Sequence, residues 1–174
     1  MSFTGVPGVQ SSADDHTVRG ADAESGANRE IPMERRKRIA LIAHDNQKAQ
    51  LVEWARYNRG TLAEHNLFAT GTTGEILAGE LDVPITRFLS GPLGGDQQVG
   101  AAIAEGKVDF VIFFWDPLEP HPHDVDVKAL LRIAVVYNIP IACNRASADF
   151  ILSSPLLDEE YGRIVTDAGA RFRR

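Results

Sequence analysis

Cysteine is almost absent from this sequence, which contains only Cys143 among its 174 residues. No disulfide can therefore form within the chain, and the place of Cys143 in the apolar run 139–143 is typical of a small buried residue rather than a reactive thiol. The sequence also lacks any run of about 18 apolar residues, the minimum for a membrane-spanning helix, and its amino terminus lacks the apolar core of a signal peptide. We therefore expect a cytoplasmic protein without a membrane partner.

Positive charge is in short supply. Lys and Arg together number 18 against 24 Asp and Glu, so the formal net charge is −6. Because nucleic acids and anionic membranes are themselves negative, this balance disfavours nonspecific attraction to either of them. No nucleic-acid partner is expected, and any anionic ligand must be held by a local site.

Large apolar side chains are scarce in residues 1–33, which are rich in Gly, Ser, Ala and Asp. Such a segment buries too little surface to offset the entropy lost on ordering, so we predict a disordered amino-terminal extension. The α/β domain is predicted to span 34–155, and residues 156–174 form a tail that packs on the domain or on a neighbouring subunit. Met33 stands directly before the patterned region, and we treat it as a hypothetical native start that intact mass would test.

From Arg38 onward, short apolar runs alternate with segments of helical period. This alternation predicts an α/β fold with a five-stranded, mainly parallel sheet. The predicted strands are 39–43, 66–69, 85–89, 108–114 and 139–143. The clearest predicted helices are 47–58, 97–105 and 125–137.

Polar residues follow four of the predicted strands. In an open parallel sheet, ligands bind beyond the carboxyl ends of the strands, because loops and helix amino termini converge there. In chain order these residues are His44, Asp45 and Lys48, then Thr70-Gly71-Thr72-Thr73-Gly74, then Ser90-Gly91 and Asp96, and finally Asp116, His123 and Asp126. The sequence therefore predicts a site at this edge of the sheet.

The Thr-Gly-Thr-Thr-Gly loop has the composition of a phosphate site. Glycine lets backbone N–H groups approach an anion, the hydroxyls add donors, and the amino terminus of a helix favours negative charge. A hydroxyl-rich helix cap is the simpler interpretation of the loop alone. Ser90, Gly91 and Lys48 at the same rim favour phosphate. Nucleotide triphosphates and NAD are disfavoured, because neither a GxxxxGK[ST] nor a GxGxxG motif is present.

Asp96 follows a double glycine near the start of a predicted helix. It could cap that helix. Alternatively, it could act as a general base, provided that burial or neighbouring carboxylates keep its pKa suitable for taking a proton. Asp45, Asp116 and Asp126 are the candidate neighbours. Both interpretations remain open at this point.

The segment His121-Pro122-His123-Asp124-Val125-Asp126 permits a helix start, a metal site or an acid–base pair. A helix start is the minimum, because acidic residues stabilise a helix amino terminus. Two histidines separated by one proline are weak evidence for zinc, so no metal is expected. His123 is chemically suited to donate a hydrogen bond to a developing enolate oxygen.

Taken together, five motifs closely resemble those of methylglyoxal synthases. They are AHDNQK at 43–48, ATGTTG at 69–74, LSGPLGGDQQVGA at 89–101, FFWDPL at 113–118 and PHDVDVKALLR at 122–132. The resemblance covers about residues 38–155 in order. The amino-terminal extension has no counterpart in the family, and Arg171, Arg173 and Arg174 are the candidates for an arginine that the family supplies near its carboxyl terminus.

The resemblance implies a flavodoxin-like three-layer fold and conversion of dihydroxyacetone phosphate to methylglyoxal and inorganic phosphate. It implies no cofactor, and it implies a homohexamer that phosphate inhibits. By motif position, Asp96 is the catalytic base, and His44, Asp45, His123 and Asp126 surround the reacting carbons. The implied phosphate ligands are Lys48, Thr70, Gly71, Thr72, Thr73, Ser90 and Gly91.

Two other functions compete with this one. The sheet also resembles the effector domain of carbamoyl phosphate synthetase and the cyclohydrolase part of a purine-synthesis enzyme, so a regulatory binding module is the main alternative. A binder needs donors but no base, and the retained acids and histidines therefore favour catalysis. A metal-dependent hydrolase built on His121, His123 and Asp126 is the third possibility, which full activity after chelation would eliminate.

Overall fold

The computed structural model describes residues 28–119 and 124–166. Its strands are β1 (Asn28–Met33), β2 (Arg38–Ala43), β3 (Asn66–Thr70), β4 (Ile85–Phe88), β5 (Phe110–Phe114), β6 (Ile141–Ala142) and β7 (Tyr161–Thr166). Its α-helices are α1 (Lys48–Tyr57), α2 (Arg59–Ala63), α3 (Gly71–Leu81), α4 (Gly95–Ala104), α5 (Asp124–Val136) and α6 (Arg145–Leu152). Short 3₁₀ turns cover Asp45–Gln47, Gly91–Leu93 and Pro155–Leu157.

Five of the strands form one parallel sheet in the order β4-β3-β2-β5-β6. The central strand β2 is apolar on both faces because both are covered by helices. Ile39 and Leu41 pack with residues of α1, α2, α3 and α6, whereas Ala40 and Ile42 pack with residues of α4 and α5. The chain therefore forms three layers, with the sheet between two layers of helices.

The predicted α/β fold with a five-stranded parallel sheet is confirmed. The strand order nevertheless differs from that of flavodoxin, in which the first strand of the sheet lies between the second and the third. Here the first, β2, lies between β3 and β5, and β4 occupies the edge. The predicted strand at 139–143 is shorter than expected, because only Ile141 and Ala142 pair with β5.

A separate two-stranded ribbon corrects the prediction of disorder for residues 28–33. In this ribbon β1 pairs antiparallel with β7, from Asn28 opposite Thr166 to Met33 opposite Tyr161. Met33 and Val165 are buried, so the ribbon contributes apolar surface to the core. Composition alone misses β1, because the strand is stabilised by a partner from the far end of the chain. Residues 1–27 lie outside the described residues.

The tail beyond residue 155 contacts the domain through β7. Asn138 Nδ2 donates to the carbonyl oxygen of Ile164 (3.0 Å), and Arg163 Nη1 donates to that of Tyr137 (2.9 Å). These two hydrogen bonds lie at the amino-terminal end of the sheet, next to the start of β6. The opposite, carboxyl-terminal end of the sheet is left for the loops that follow β2, β3 and β4.

Candidate active site

A cavity of about 280 Å³ opens at the carboxyl ends of β2, β3 and β4. Its wall consists of Ile42, Ala43, His44, Asp45, Lys48, Thr70, Thr72, Thr73, Ser90, Gly91, Pro92 and Asp96. Most of the side chains that the sequence singled out therefore surround one space. Its volume lies just below the range of roughly 300–1,000 Å³ that holds drug-sized ligands, which suits a smaller compound.

Gly71 brings two of the loops around this cavity into contact. Its φ of +26° is unfavourable for other residues, and a Cβ there would lie 2.6 Å from Ser90 Cα. Its N–H donates to the carbonyl oxygen of Leu89 (3.1 Å). Gly71 thus lies behind the cavity wall, where it holds the loop after β3 against the loop after β4.

The threonine hydroxyls do not cap α3. Thr70 occupies the N-cap position in an extended conformation, and its side chain makes no capping hydrogen bond. The simpler interpretation of this loop is therefore absent from the structure. Thr72 and Thr73 lie in the first turn of the helix, where N–H groups lack acceptors within the helix and favour an anion.

Lys48 supplies the positive charge at the cavity wall. Its Nζ contacts Thr72 Oγ1 at 2.5 Å and Asp45 Oδ1 at 2.6 Å. The side chain of Lys48 is 21% exposed and that of Asp45 is 86% exposed, so solvent weakens their ion pair. One ammonium group thereby joins the loop after β2 to the threonine loop.

Asp96 lies in the first turn of α4 and is only 6% exposed. The N-cap position belongs to Gly94, whose φ is +96°, so Asp96 is not the cap that the sequence allowed. Gly95 makes this placement feasible, because a Cβ there would lie 2.1 Å from the carbonyl oxygen of Leu89. The structure thus brings a buried carboxylate and the threonine loop to the same cavity.

His44 is buried at the point where the strand order reverses between β2 and β5. The backbone N–H of Asp116 donates to His44 Nδ1 (3.2 Å), and the imidazole ring meets Phe113 edge to face at a centroid distance of 5.0 Å. Since Nδ1 accepts a hydrogen bond, the neutral ring carries its proton on Nε2. His44 therefore lines the cavity as a ring protonated on Nε2, and that nitrogen is buried from solvent.

Comparison with known proteins agrees with this geometry. The family model described as MGS-like domain matches residues 50–143. A methylglyoxal synthase of Leptospira interrogans is 54% identical over 146 residues, covering 84% of this chain and 99% of the relative. The chain belongs to the methylglyoxal synthase family.

Two further members of the family show the extent of the similarity. A methylglyoxal synthase of Saccharophagus degradans is 59% identical over 132 residues, covering 76% of this chain and 86% of the relative. The crystal structure of methylglyoxal synthase from Elizabethkingia anophelis superposes with a TM-score of 0.78 at 51% identity, covering 85% of this chain and 96% of that one. The activity of the chain is that of a methylglyoxal synthase, a lyase that eliminates phosphate.

Not every residue that the sequence assigned to the site reaches the cavity. Asp126 lies half-buried in the first turn of α5 and is not part of the cavity wall. His123 and the candidate arginines 171, 173 and 174 lie outside the described residues. Their roles remain predictions from the family resemblance.

The sequence disfavours both a metal site and a reactive thiol in this chain. Within 28–119 and 124–166, no three His, Cys, Asp or Glu side chains are grouped so as to hold a metal ion. His121 and His123 of the alternative metal site lie outside those ranges. Burial raises the pKa of the Cys143 thiol, which keeps it protonated near neutral pH.

Among residues 28–119 and 124–166, no helix has the length and apolarity to cross a membrane.

Asn46 is the polar residue at this edge that sequence reasoning did not assign. Its side chain donates to Asp116 Oδ2 (3.1 Å) and to a carboxylate oxygen of Glu119, which links the loop after β2 to the loop after β5. The signal was its position inside the AHDNQK motif, directly after two residues that were assigned. Its acceptors follow a strand distant in sequence, so the link could not be foreseen.

Proposed function

We propose that the cavity binds dihydroxyacetone phosphate and that Asp96 starts its conversion to methylglyoxal and inorganic phosphate. The observation that carries this proposal is the shared cavity of Asp96 and the threonine loop. A phosphorylated substrate needs anion donors at one end and a base at the reacting carbon, and the cavity wall provides both kinds of group.

In the proposed complex, the phosphate group lies against the threonine loop. Its donors are the N–H groups of Thr72 and Thr73 in the first turn of α3, the hydroxyls of Thr70, Thr72, Thr73 and Ser90, and the ammonium of Lys48. The backbone at Gly91 adds a surface without a side chain. These groups compensate the phosphate charge in a chain whose net charge is itself negative.

The chemistry begins when the Asp96 carboxylate takes a proton from the hydroxymethyl carbon. The electrons of that C–H bond form an enediolate, whose oxygen charge is stabilised by donated hydrogen bonds. His123 is assigned to the carbonyl oxygen by the family resemblance, with His44, Asp45 and Asp126 around the reacting carbons. Breakage of the bond between carbon and the bridging oxygen then releases phosphate, and the remaining enol tautomerises to methylglyoxal.

The orientation of the phosphate ester decides whether elimination occurs. If its C–O bond lies perpendicular to the enediolate plane, the bond overlaps the π system and phosphate departs. If the bond lies in the plane, phosphate is retained and isomerisation is favoured. A bound substrate analogue with its ester bond in that plane would contradict this assignment.

The test is an assay of the purified chain with dihydroxyacetone phosphate that follows both released phosphate and the ketoaldehyde. Asp96→Asn should lower kcat by roughly a hundred- to ten-thousandfold, the contribution of a positioned general base, while phosphate binding is retained. Asp82→Asn is the matched control, because Asp82 is exposed at the other end of α3 with a φ of 50° that Asn also adopts.

Three outcomes of this assay separate the competing functions. Near-normal turnover of Asp96→Asn means that another carboxylate is the base. Phosphate binding without any product in the unmodified chain favours the regulatory binding module. Loss of activity on chelation favours the metal-dependent hydrolase, whereas full activity removes it.

We also propose a cytoplasmic homohexamer that inorganic phosphate inhibits by occupying the phosphate part of the cavity. Leu93, Leu118 and Val125 are 70%, 92% and 74% exposed, so these apolar side chains are available for the proposed subunit contact. A mass of six chains in light scattering, together with inhibition by phosphate, is the expected result. The single cysteine and the intracellular nature of the proposed substrate support the cytoplasm.

A further inference from the structure

The side chain of Asn46 is placed between two carboxylates. Its Nδ2 group donates one hydrogen bond to Asp116 Oδ2 (3.1 Å) and one to a carboxylate oxygen of Glu119. An amide NH₂ has two hydrogens, so each carboxylate receives its own donor. Because an amide oxygen in that position would face two negative charges, the orientation of the Asn46 amide is determined by its surroundings.

Asp116 passes this link on to His44 through its own backbone. Asp116 is 9% exposed, and its Oδ1 accepts from the backbone N–H of Leu118 (3.0 Å), which fixes the start of the loop after β5. The backbone N–H of Asp116 in turn donates to His44 Nδ1 (3.2 Å). A continuous series of hydrogen bonds therefore runs from Asn46 to the imidazole at the cavity wall.

We infer that Asn46 is a positioning residue that holds His44 in its Nε2–H tautomer. The inference rests on the proposed role of His44 beside the reacting carbons. By keeping the Asp116 N–H on Nδ1, Asn46 leaves Nε2 as the only nitrogen of neutral His44 that donates. A ring with its proton on Nδ1 would lose the Asp116 bond and would offer the substrate an acceptor instead of a donor.

Removal of the Asn46 amide should loosen this arrangement without emptying the site. The carboxylates of Asp116 and Glu119 would lose their common donor, which ties the loop after β5 to the loop after β2, and their mutual repulsion would change the conformation of the loop after β5. The threonine loop, whose Thr72 contacts Lys48, is not part of this series. Turnover should therefore fall, while the Michaelis constant changes little.

The first test is nitrogen-15 NMR of the histidine side chains in the full chain. The spectrum of His44→Gln assigns the His44 signals by their loss. In the unmodified protein, the expected pattern is an unprotonated Nδ1 and a protonated Nε2. Asn46→Ala should raise the Nδ1–H fraction measurably. A protonated Nδ1 in the unmodified protein, or the same tautomer populations in both proteins, overturns the inference.

The second test uses kinetics. Asn46→Ala should lower kcat about fivefold, which matches the typical net contribution of one hydrogen bond, since Asn46 acts on His44 only through Asp116. The Michaelis constant should stay within about twofold. Asn46→Gln keeps the amide donor and should recover part of the lost kcat. The inference is contradicted if Asn46→Ala and the unmodified protein have equal kcat values, or if the only effect is a raised Michaelis constant.

Asn46→Asp gives a pH signature that a purely structural role would not produce. The new carboxyl would face the carboxylates of Asp116 and Glu119 on the loop after β5. The charged residues on its own segment are Asp45 and Lys48, and the Lys48 charge is already paired with Asp45. Like charges raise the pKa of such a carboxyl, and its protonated form regains a donor. The activity of Asn46→Asp relative to the unmodified protein should therefore rise as the pH falls.

Two variants provide controls for this signature. The relative activity of Asn46→Ala should not depend on pH, because alanine cannot regain a donor. Asn66→Asp introduces the same charge change at an exposed position at the amino-terminal end of β3 and should have unchanged activity at each pH. A pH-independent ratio for Asn46→Asp overturns the inference. The NMR result needs no turnover, so failure of the proposed reaction is distinguishable from failure of this positioning role.

Discussion

At the scale of single residues, Lys48 illustrates how one side chain joins two parts of the site. Its Nζ lies between Asp45 on the preceding turn and Thr72 on the threonine loop. Lysine acts as a point charge toward phosphate, so its contribution does not require one fixed geometry. Its loss should consequently affect binding of the phosphate group more than the proton transfer.

Lys48→Ala should raise the Michaelis constant for dihydroxyacetone phosphate and weaken phosphate inhibition by a similar factor, about tenfold or more, because one charge-assisted contact worth roughly 1.5–3 kcal/mol is removed. Steady-state kinetics with and without phosphate measure both effects. Lys107→Ala is the control, since Lys107 is exposed after α4 and pairs only with Glu105 among the contacts described. An unchanged Michaelis constant counts against the role of Lys48.

His65 should couple stability to pH. It is 5% exposed, its Nδ1 accepts from the backbone N–H of Lys37 (3.3 Å), and burial lowers the pKa of this imidazole below its usual 6.5. Below pH 6.5 the unfolded chain binds the proton more readily than the folded one, so stability decreases as the pH falls through that region.

Urea unfolding at a series of pH values between 7 and 5 measures this coupling. His65→Gln, which keeps an acceptor for the Lys37 N–H but does not titrate, should have a flatter dependence of the unfolding free energy on pH in that interval. Parallel curves for the two proteins would show that His65 is not the group responsible.

At the scale of elements, the start of α4 depends on a double glycine. Gly94 adopts the left-handed conformation, and Gly95 approaches the Leu89 carbonyl more closely than any side chain would permit. These two residues let the helix begin directly beneath the loop after β4, so that its first turn presents Asp96 to the cavity. The position of Asp96, the proposed base, therefore depends on the conformation of the Gly94-Gly95 turn.

Gly95→Ala should displace the first turn of α4 and lower kcat at least tenfold, with a loss of stability of about 1–3 kcal/mol from overpacking. Gly79→Ala is the matched control, because Gly79 lies in α3 and a Cβ added there would have no atom within 4 Å. That substitution should leave activity unchanged and stabilise the helix by about 0.5–1 kcal/mol. Similar kinetics for the two variants would mean that the turn tolerates a side chain.

At the scale of the whole molecule, charge is arranged differently at the two ends of the sheet. The site lies at the carboxyl ends of the strands. At the amino ends lies a partly buried ion pair, in which Arg38 donates to both carboxylate oxygens of the fully buried Asp109. Arg163 is also fully buried there, and of its three guanidinium nitrogens only Nη1 has an acceptor among the described residues. Burial lowers the pKa of Arg163, although Asp109 acts against this effect.

The two arginines should respond in opposite ways to replacement by methionine. Arg38→Met leaves Asp109 buried without its ion pair and should cost about 2–4 kcal/mol of unfolding free energy. Arg163→Met removes a buried charge with few hydrogen bonds and should be nearly neutral or stabilising. Urea denaturation measures both changes. A large loss for Arg163→Met would indicate that its guanidinium has an acceptor in the assembled protein.

The sequence predicted what depends on local pattern. The parallel strands were foreseeable because strands buried on both faces are continuous apolar runs, and the rim of the site was foreseeable because polar residues follow those runs. The ribbon was not, since Asn28–Met33 is a strand only through pairing with Tyr161–Thr166. The link from Asn46 to Asp116 was missed for the same reason, as it joins loops that meet only in the folded chain.

The contacts of Gly71 and Gly95 have a further consequence for selectivity. Both glycines press against the same dipeptide, Leu89-Ser90, from opposite helices, and their N–H groups bond its two carbonyl oxygens. The spacing between the threonine loop, the proposed phosphate site, and Asp96, the proposed base, is therefore set by rigid backbone rather than by adjustable side chains. We therefore expect the site to select for substrate length. A phosphorylated hydroxyketone with one more carbon between the phosphate and the carbonyl should bind through its phosphate, yet its acidic C–H should lie out of reach of Asp96, the proposed base.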